Sequence, residues 1–310
     1  MERTIHLRTY ERLKNYPITS FCLLTAVLSL LFYAVPEIDK GFTHLFYEPG
    51  IGFPAAKKSA LIDFRNLASN LSIALPITLV LALGLKLLYP SKPCLCSPRM
   101  SLYFISLFLI GPSLIVNGAL KSFWGRPRPV SVIDFGGVWP FSEAWVIADH
   151  GWFNRSFSSG EAATVACLLP LALFVPRAWR VQVVTLVGLL VAATSLNRIA
   201  FGAHFLSDVT ISIGIVLVVA AVLHRIFFVT HAEALSDEAL ERRLTRIGRD
   251  WAGRRAALRA RSGRMVTDGV NALARFGRAQ LRRARAAAAM ASAFIAARRE
   301  VGRRTPLSPQ

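Results

Sequence analysis

Cysteine is scarce in this chain and badly placed for cross-linking. Of the four present, Cys22 and Cys167 lie inside apolar runs. Cys94 and Cys96 sit one residue apart, too close for an unstrained disulfide and too few for a zinc site. All four read as ordinary thiols. Acidic residues are also few, 18 against 37 lysines and arginines, which leaves a net charge of +19. No nucleic-acid-binding motif accompanies that charge, so a nucleic-acid partner is not expected. No internal repeat or pair of broken helices is visible, which argues against a transporter. No small-x-small cleavage site follows the first apolar run before Pro36-Glu37, so that run reads as a retained helix.

Apolar residues, by contrast, make up 54% of the chain, and the mean hydropathy is +0.45. Spanning a bilayer takes about 20 residues. Six runs approach or reach that length: Ile18–Val35, Leu67–Leu88, Leu102–Leu120, Ala162–Val175, Val181–Leu196 and Val209–Val229. Only helices satisfy their own backbone in lipid without closing a barrel. The expected fold is therefore an all-α integral membrane protein, a bundle of six transmembrane helices with a basic, partly helical tail. Its divisions would be residues 1–17, 18–229 and 230–310.

Loop charge sets the expected orientation. Arg3, Arg8, Arg12, Lys14, Lys92, Arg99, Arg177, Arg180 and the Arg-rich tail fall on one side, so both termini should be cytoplasmic. Lys57, Lys58, Arg65, Arg126, Arg128 and Arg155 fall on the other. Three polar segments meet at that outer face. Lys121 ends the third run and is followed by Arg128-Pro129. Ser158-Ser159-Gly160-Glu161 opens the fourth. Arg198 ends the fifth, and His204 and Asp208 lead into the sixth.

This combination suits phosphate chemistry. Phosphate needs several fixed cations, which Lys121, Arg128 and Arg198 supply. Ser159 and Gly160 begin a helix, whose free N–H groups favour an anion. His204 is a candidate nucleophile for phosphorus. Asp208, one helical turn on, is placed to fix the tautomer of the ring and to stabilise it as it becomes cationic.

In these motifs the chain resembles the type 2 phosphatidic acid phosphatase (PAP2) superfamily. The family pattern is Lys, six residues, Arg-Pro; then Pro-Ser-Gly-His; then Ser-Arg, five residues, His, three residues, Asp. Lys121 to Pro129 matches in full, and Asn197 to Asp208 matches with Asn in place of Ser. Ser158 and Glu161 replace the Pro and His of the middle motif. The likeness covers roughly residues 60–230. It implies that Lys121, Arg128, Ser159, Gly160 and Arg198 bind phosphate, that His204 is the nucleophile with Asp208 as its partner, and that neither metal nor cofactor is needed. It also implies a site at the outer, periplasmic leaflet of a bacterial inner membrane.

Glu161 stands where the family has the acid that protonates the leaving oxygen. Four readings are open. Bound phosphate and partial burial favour a protonated Glu161 that acts as the acid, while the surrounding cations favour the ionised form. His150 could reach in from its loop instead. A stable leaving group, as in a diphosphate, would need no acid. Finally, the enzyme could be crippled.

The expected substrate is a lipid-linked phosphate. The segment from Asp39 through Leu45-Phe46-Tyr47 to Gly52-Phe53 resembles the one in bacterial lipid A phosphatases of the same superfamily, and it fits an interfacial loop equally well. Undecaprenyl diphosphate, phosphatidylglycerol phosphate and phosphatidate are the other candidates. A catalytically weak phospholipid-binding or scaffold protein is the alternative of another class. The aromatic-rich loop Val130–Phe157 reads either as a lid or as a membrane-anchoring belt. In the tail, Leu240, Leu244, Ile247 and Trp251 recur at helical spacing among arginines. That pattern suits a helix on the anionic inner leaflet; Arg282–Arg299 is less periodic and expected to be partly disordered.

Overall fold

The structure, a computed structural model, describes residues 17–148 and 155–303. Among them there are no strands, only the isolated bridges Glu48–Gly52 and Val132–Trp139. Helix α1 (Pro17–Ala34) is followed by the short α2 (Glu37–His44). The longer α3 (Ser59–Leu88) comes next. A bent span, α4 (Pro98–Phe123), begins as regular helix and continues in wide i→i+5 turns through Pro112. After the long loop come α5 (Gly160–Ala166), α6 (Arg180–Ala200), α7 (Leu206–Arg225) and α8 (Asp237–Arg303). Contacts divide the chain into two units, with the break between Arg246 and Ile247.

In the first unit, α1, α3, α4, α6 and α7 are long and apolar enough to cross a membrane. The fourth expected span differs. Helix α5 ends at Ala166, and a tighter turn over Leu169–Leu173 follows it. Pro170 lacks an N–H and cannot continue the helical bonding. Gly160–Leu173 would rise only about 21 Å at 1.5 Å per residue, short of a hydrocarbon core about 30 Å thick. This segment is buried by protein: Ala162, Ala163, Val165, Ala166 and Cys167 are all inaccessible.

Helix α7 is the central element, packing against α1, α4 and α5. Small residues allow the close approach. A Cβ added to Gly214 would lie 2.4 Å from Thr25 Oγ1 on α1. Around α7 the core is aromatic and aliphatic, with Tyr103, Phe104 and Leu107 of α4 fully buried beside Phe174, Phe227 and Phe228. Helix α3 begins eight residues before the expected run. Its extra turns carry Arg65 out of the apolar segment to the level of the polar motifs.

The loop aromatics turn inward. Phe141 packs edge-on against Phe205, and Trp145 against Trp124 and Phe157. From the α2 segment, Tyr47 and Phe53 join Phe135. These aromatics line the end of the bundle that carries the polar motifs, while Trp139 stays exposed. Trp152 and Phe153 lie outside the described residues.

At the opposite end, the start of α8 is tied down. Ser97 caps α4 and donates to Asp237, whose other contact is the Arg99 amide. Lys86, 5% exposed, donates to the carbonyls of Pro90 and Lys92 and to Glu241. The second unit is helical as far as Arg303, so the region expected to be partly disordered is ordered as helix. Leu258, Phe276 and Phe294 repeat about five turns apart on one face, with Met265 beside them. Arg264, Arg275, Arg278, Arg282 and Arg285 occupy the other.

Candidate active site

His204 lies in the turn between α6 and α7. That turn is tight because Gly202 adopts φ +62 and its Cα faces the Phe53 ring, where a Cβ would lie 2.4 Å from Cδ2. The Gly202 carbonyl also accepts from the Val130 N–H. His204 is 2% exposed, and its Nδ1 lies 2.8 Å from the Ser156 carbonyl oxygen. A carbonyl only accepts, so Nδ1 carries the proton. Nε2 is then the unprotonated nitrogen of the neutral ring. Burial lowers the imidazole's pKa below its ordinary value. Arg198 and Lys121 act the same way, and Asp208 opposes them.

Asp208 sits in the first turn of α7 with one oxygen 3.7 Å from His204 Nδ1. The expectation that it grips the ring directly is therefore modified, because the Ser156 carbonyl makes the close contact. Asp208 instead accepts from Arg126 at 2.6 Å, from the Phe205 amide at 2.8 Å and from the Ser156 hydroxyl. Ser156 thus touches both members of the pair.

Sequence reasoning counted Arg126 only as an outer-loop cation, yet it is the hub of the site. It is fully buried. It donates to Asp208 and Ser207 through one terminal nitrogen, to Asp39 through the other at 2.9 Å, and to the Ser142 carbonyl through Nε. Phe205 stacks against its guanidinium at 4.6 Å. Asp39 in turn accepts from the Ser207 amide and hydroxyl. Burial raises the Asp39 carboxyl's pKa, with Asp208 adding to the effect and Arg126 and Ser207 opposing it. The signal in the sequence was an Arg-Pro pair inside the first motif and one Asp ahead of an aromatic loop.

The expected phosphate ligands converge beside His204. Lys121 lies in the last turn of α4, within electrostatic range of Arg128 and Arg198. Arg128 Nε, Arg198 Nε and Ser158 Oγ are buried donors without a hydrogen-bond acceptor. Buried donors of this kind are costly unless an anion serves them. Ser159 caps α5 by accepting from the Ala162 N–H, and its own amide donates to the Asp208 carbonyl. At Gly160 a Cβ would meet Asn117 Oδ1 at 2.5 Å, so a larger residue there would have to displace the Asn117 side chain.

Glu161 is held in ion pairs. Arg65 approaches it through Nε at 3.0 and 3.1 Å and through a terminal nitrogen at 2.7 Å. Arg198 Nε lies 3.4 Å from its second oxygen, close enough for an ion pair but outside hydrogen-bond geometry. A cavity of about 190 Å³ lies next to this group, lined by Ser69, Asn117, Lys121, Glu161 and Thr164 among others. His150 lies outside the described residues.

Residues 102–231 match the model of the PAP2 superfamily. Three curated relatives are each called lipid A 4'-phosphatase. That of Rhizobium etli is 47% identical over 119 residues, 38% of this chain and 46% of the relative. That of Rhizobium leguminosarum is 35% identical over 210 residues, 63% of this chain and 90% of the relative. That of Francisella tularensis subsp. novicida is 37% identical over 115 residues, 36% of this chain and 51% of the relative. The match thus spans about half the length of two relatives and nine-tenths of the third. Among solved structures, the transmembrane PAP2-type phosphatidylglycerolphosphate phosphatase from Bacillus subtilis aligns over 68% of this chain and 96% of its own. The identity is 19% and the TM-score 0.45.

Proposed function

The chain belongs to the PAP2 superfamily, and from that premise we propose that it is a membrane lipid phosphatase acting on a lipid A-type phosphate. The observation that carries the reading is His204. Its Nδ1 is committed to the Ser156 carbonyl, which leaves Nε2 as a nucleophile beside three buried donors that have no acceptor. Lys121, Arg128 and Arg198, with Ser158, Ser159 and Gly160, hold the phosphate and neutralise its equatorial oxygens as charge develops on them. Nε2 attacks phosphorus to give a phosphohistidine, which water then hydrolyses. Asp208 stabilises the ring as it becomes cationic. Three fixed cations meet the charge of the phosphate, so turnover is expected without added metal.

The names of the relatives favour the 4'-phosphate of lipid A over undecaprenyl diphosphate, phosphatidylglycerol phosphate or phosphatidate. We place the protein in a bacterial inner membrane, with both termini cytoplasmic and the site facing the periplasm, on the loop-charge argument. The arginine face of α8 is read as a contact with anionic lipid of the inner leaflet.

Phosphate release by the purified protein from a panel of these four lipids, with His204→Ala as the blank, tests the reading. Release from one lipid by the native protein alone supports it; silence on all four rejects it. One observation favours a second reading, a catalytically weak phospholipid-binding protein: Glu161 is tied into ion pairs where the family has its acid. Vanadate-sensitive phosphate release would eliminate that alternative.

A further inference from the structure

We propose that Arg65 is a catalytic residue that contacts the oxygen leaving phosphorus, and that Glu161 is the positioning residue that aims it. The inference rests on the phosphatase reading of the site. A carboxylate that accepts three short contacts from one guanidinium and pairs with a second has no proton to deliver. The alkoxide displaced from an alkyl phosphate still needs its charge met. Arg65 is placed for this. Helix α3 extends past the apolar segment to bring it to the residue that stands at the family's acid position. Its Nε and one terminal nitrogen are bound to Glu161, and its other terminal nitrogen makes no hydrogen bond among the described residues. Ser69, one turn along α3, lines the cavity of about 190 Å³ that continues past Lys121, Glu161 and Thr164. That cavity, bordered by Glu161 and by Ser69 one turn from Arg65, gives the departing alcohol room.

The chemistry balances without an acid on the protein. His204 Nε2 forms the N–P bond as the P–O bond to the alcohol breaks, and the oxygen departs with the bond pair facing Arg65. A water protonates that oxygen. The resulting hydroxide attacks phosphorus, breaks the N–P bond and frees inorganic phosphate and neutral His204. Arginine stays charged throughout, so it acts by electrostatic stabilisation.

Leaving-group dependence tests the assignment. Full-length protein in detergent would be assayed on octyl phosphate, whose alkoxide is a poor leaving group, and on nitrophenyl phosphate, whose phenolate needs little help. Arg65→Gln should lower kcat on octyl phosphate about a hundredfold, the usual cost of one such donor, and on nitrophenyl phosphate less than about fivefold. Arg65→Lys, which keeps the charge, should fall between Arg65→Gln and the native protein. Glu161→Gln should show the same substrate pattern more weakly. An equal loss on both substrates, or no loss on either, would overturn the inference. Activity that survives His204→Ala would instead overturn the phosphatase reading, and this inference with it.

Discussion

A buried arginine between two buried aspartates is the least replaceable residue of the site. Arg126 supplies the only cation that touches both Asp39 and Asp208 among the described residues. Arg126→Gln should cost about 3–5 kcal/mol, the range for stranding one side of a buried pair. Unfolding of detergent-solubilised protein followed by tryptophan fluorescence would read it, and an unchanged midpoint would contradict the network. His204 yields a prediction in pH. Its lowered pKa keeps the ring neutral, and so nucleophilic, to a lower pH than an exposed histidine at about 6.5. The acid limb of kcat/KM should therefore lie below pH 6.5, because that limb reports the free enzyme's essential base. Asp208 favours the imidazolium, so Asp208→Asn should move the limb lower still; a shift upward would count against the pairing. His204 and Asp208 were legible in the sequence as part of the Arg, five residues, His, three residues, Asp pattern, although His204 precedes α7 and no helical turn links the two. The Ser156 carbonyl was not, because a backbone acceptor from a distant loop leaves no mark on residue type.

At the scale of elements, chain ends of helices did most to place the site, and these were readable. Lys121 closing α4, Glu161 opening α5, Arg198 near the end of α6 and Asp208 in the first turn of α7 all fall where apolar runs meet polar motifs. The fourth run was already the shortest of the six in the sequence, but apolarity alone does not separate a helix buried in protein from one buried in lipid; Pro170 and the small residues were the available clue. The turn from α6 to α7 gives the sharpest test. Gly202→Ala meets two penalties, a left-handed backbone and the ring of Phe53. The backbone alone costs about 1–3 kcal/mol. Because the turn sets the distance from Arg198 to His204, turnover should fall more than stability. Phosphate release and the unfolding midpoint, measured together, check this. A loss in stability alone would make the glycine merely structural.

For the molecule as a whole, the break between the membrane unit and its basic extension lies further along than hydropathy suggests. The apolar run ends near Val229, but Asp237 and Glu241 belong physically to the membrane unit. Asp237 accepts from Ser97 and from the Arg99 amide, and Glu241 accepts from the buried Lys86 and the Cys94 amide. Two truncations should therefore behave differently. Ending the chain after Arg246 removes only the second unit, so turnover in detergent and the unfolding midpoint should both stay near native. Its loss should show only as weaker retention on vesicles rich in anionic lipid, where each basic residue near the surface contributes about 1 kcal/mol. Ending it after Ala232 also strands Lys86, a lysine 5% exposed, without its carboxylate. That protein should unfold at lower temperature, although its site residues are untouched. Equal midpoints for the two truncations would mean that the clamp made by Ser97, Lys86, Asp237 and Glu241 adds nothing to the bundle. A loss of turnover on removing the second unit alone would mean that α8 takes part in the chemistry.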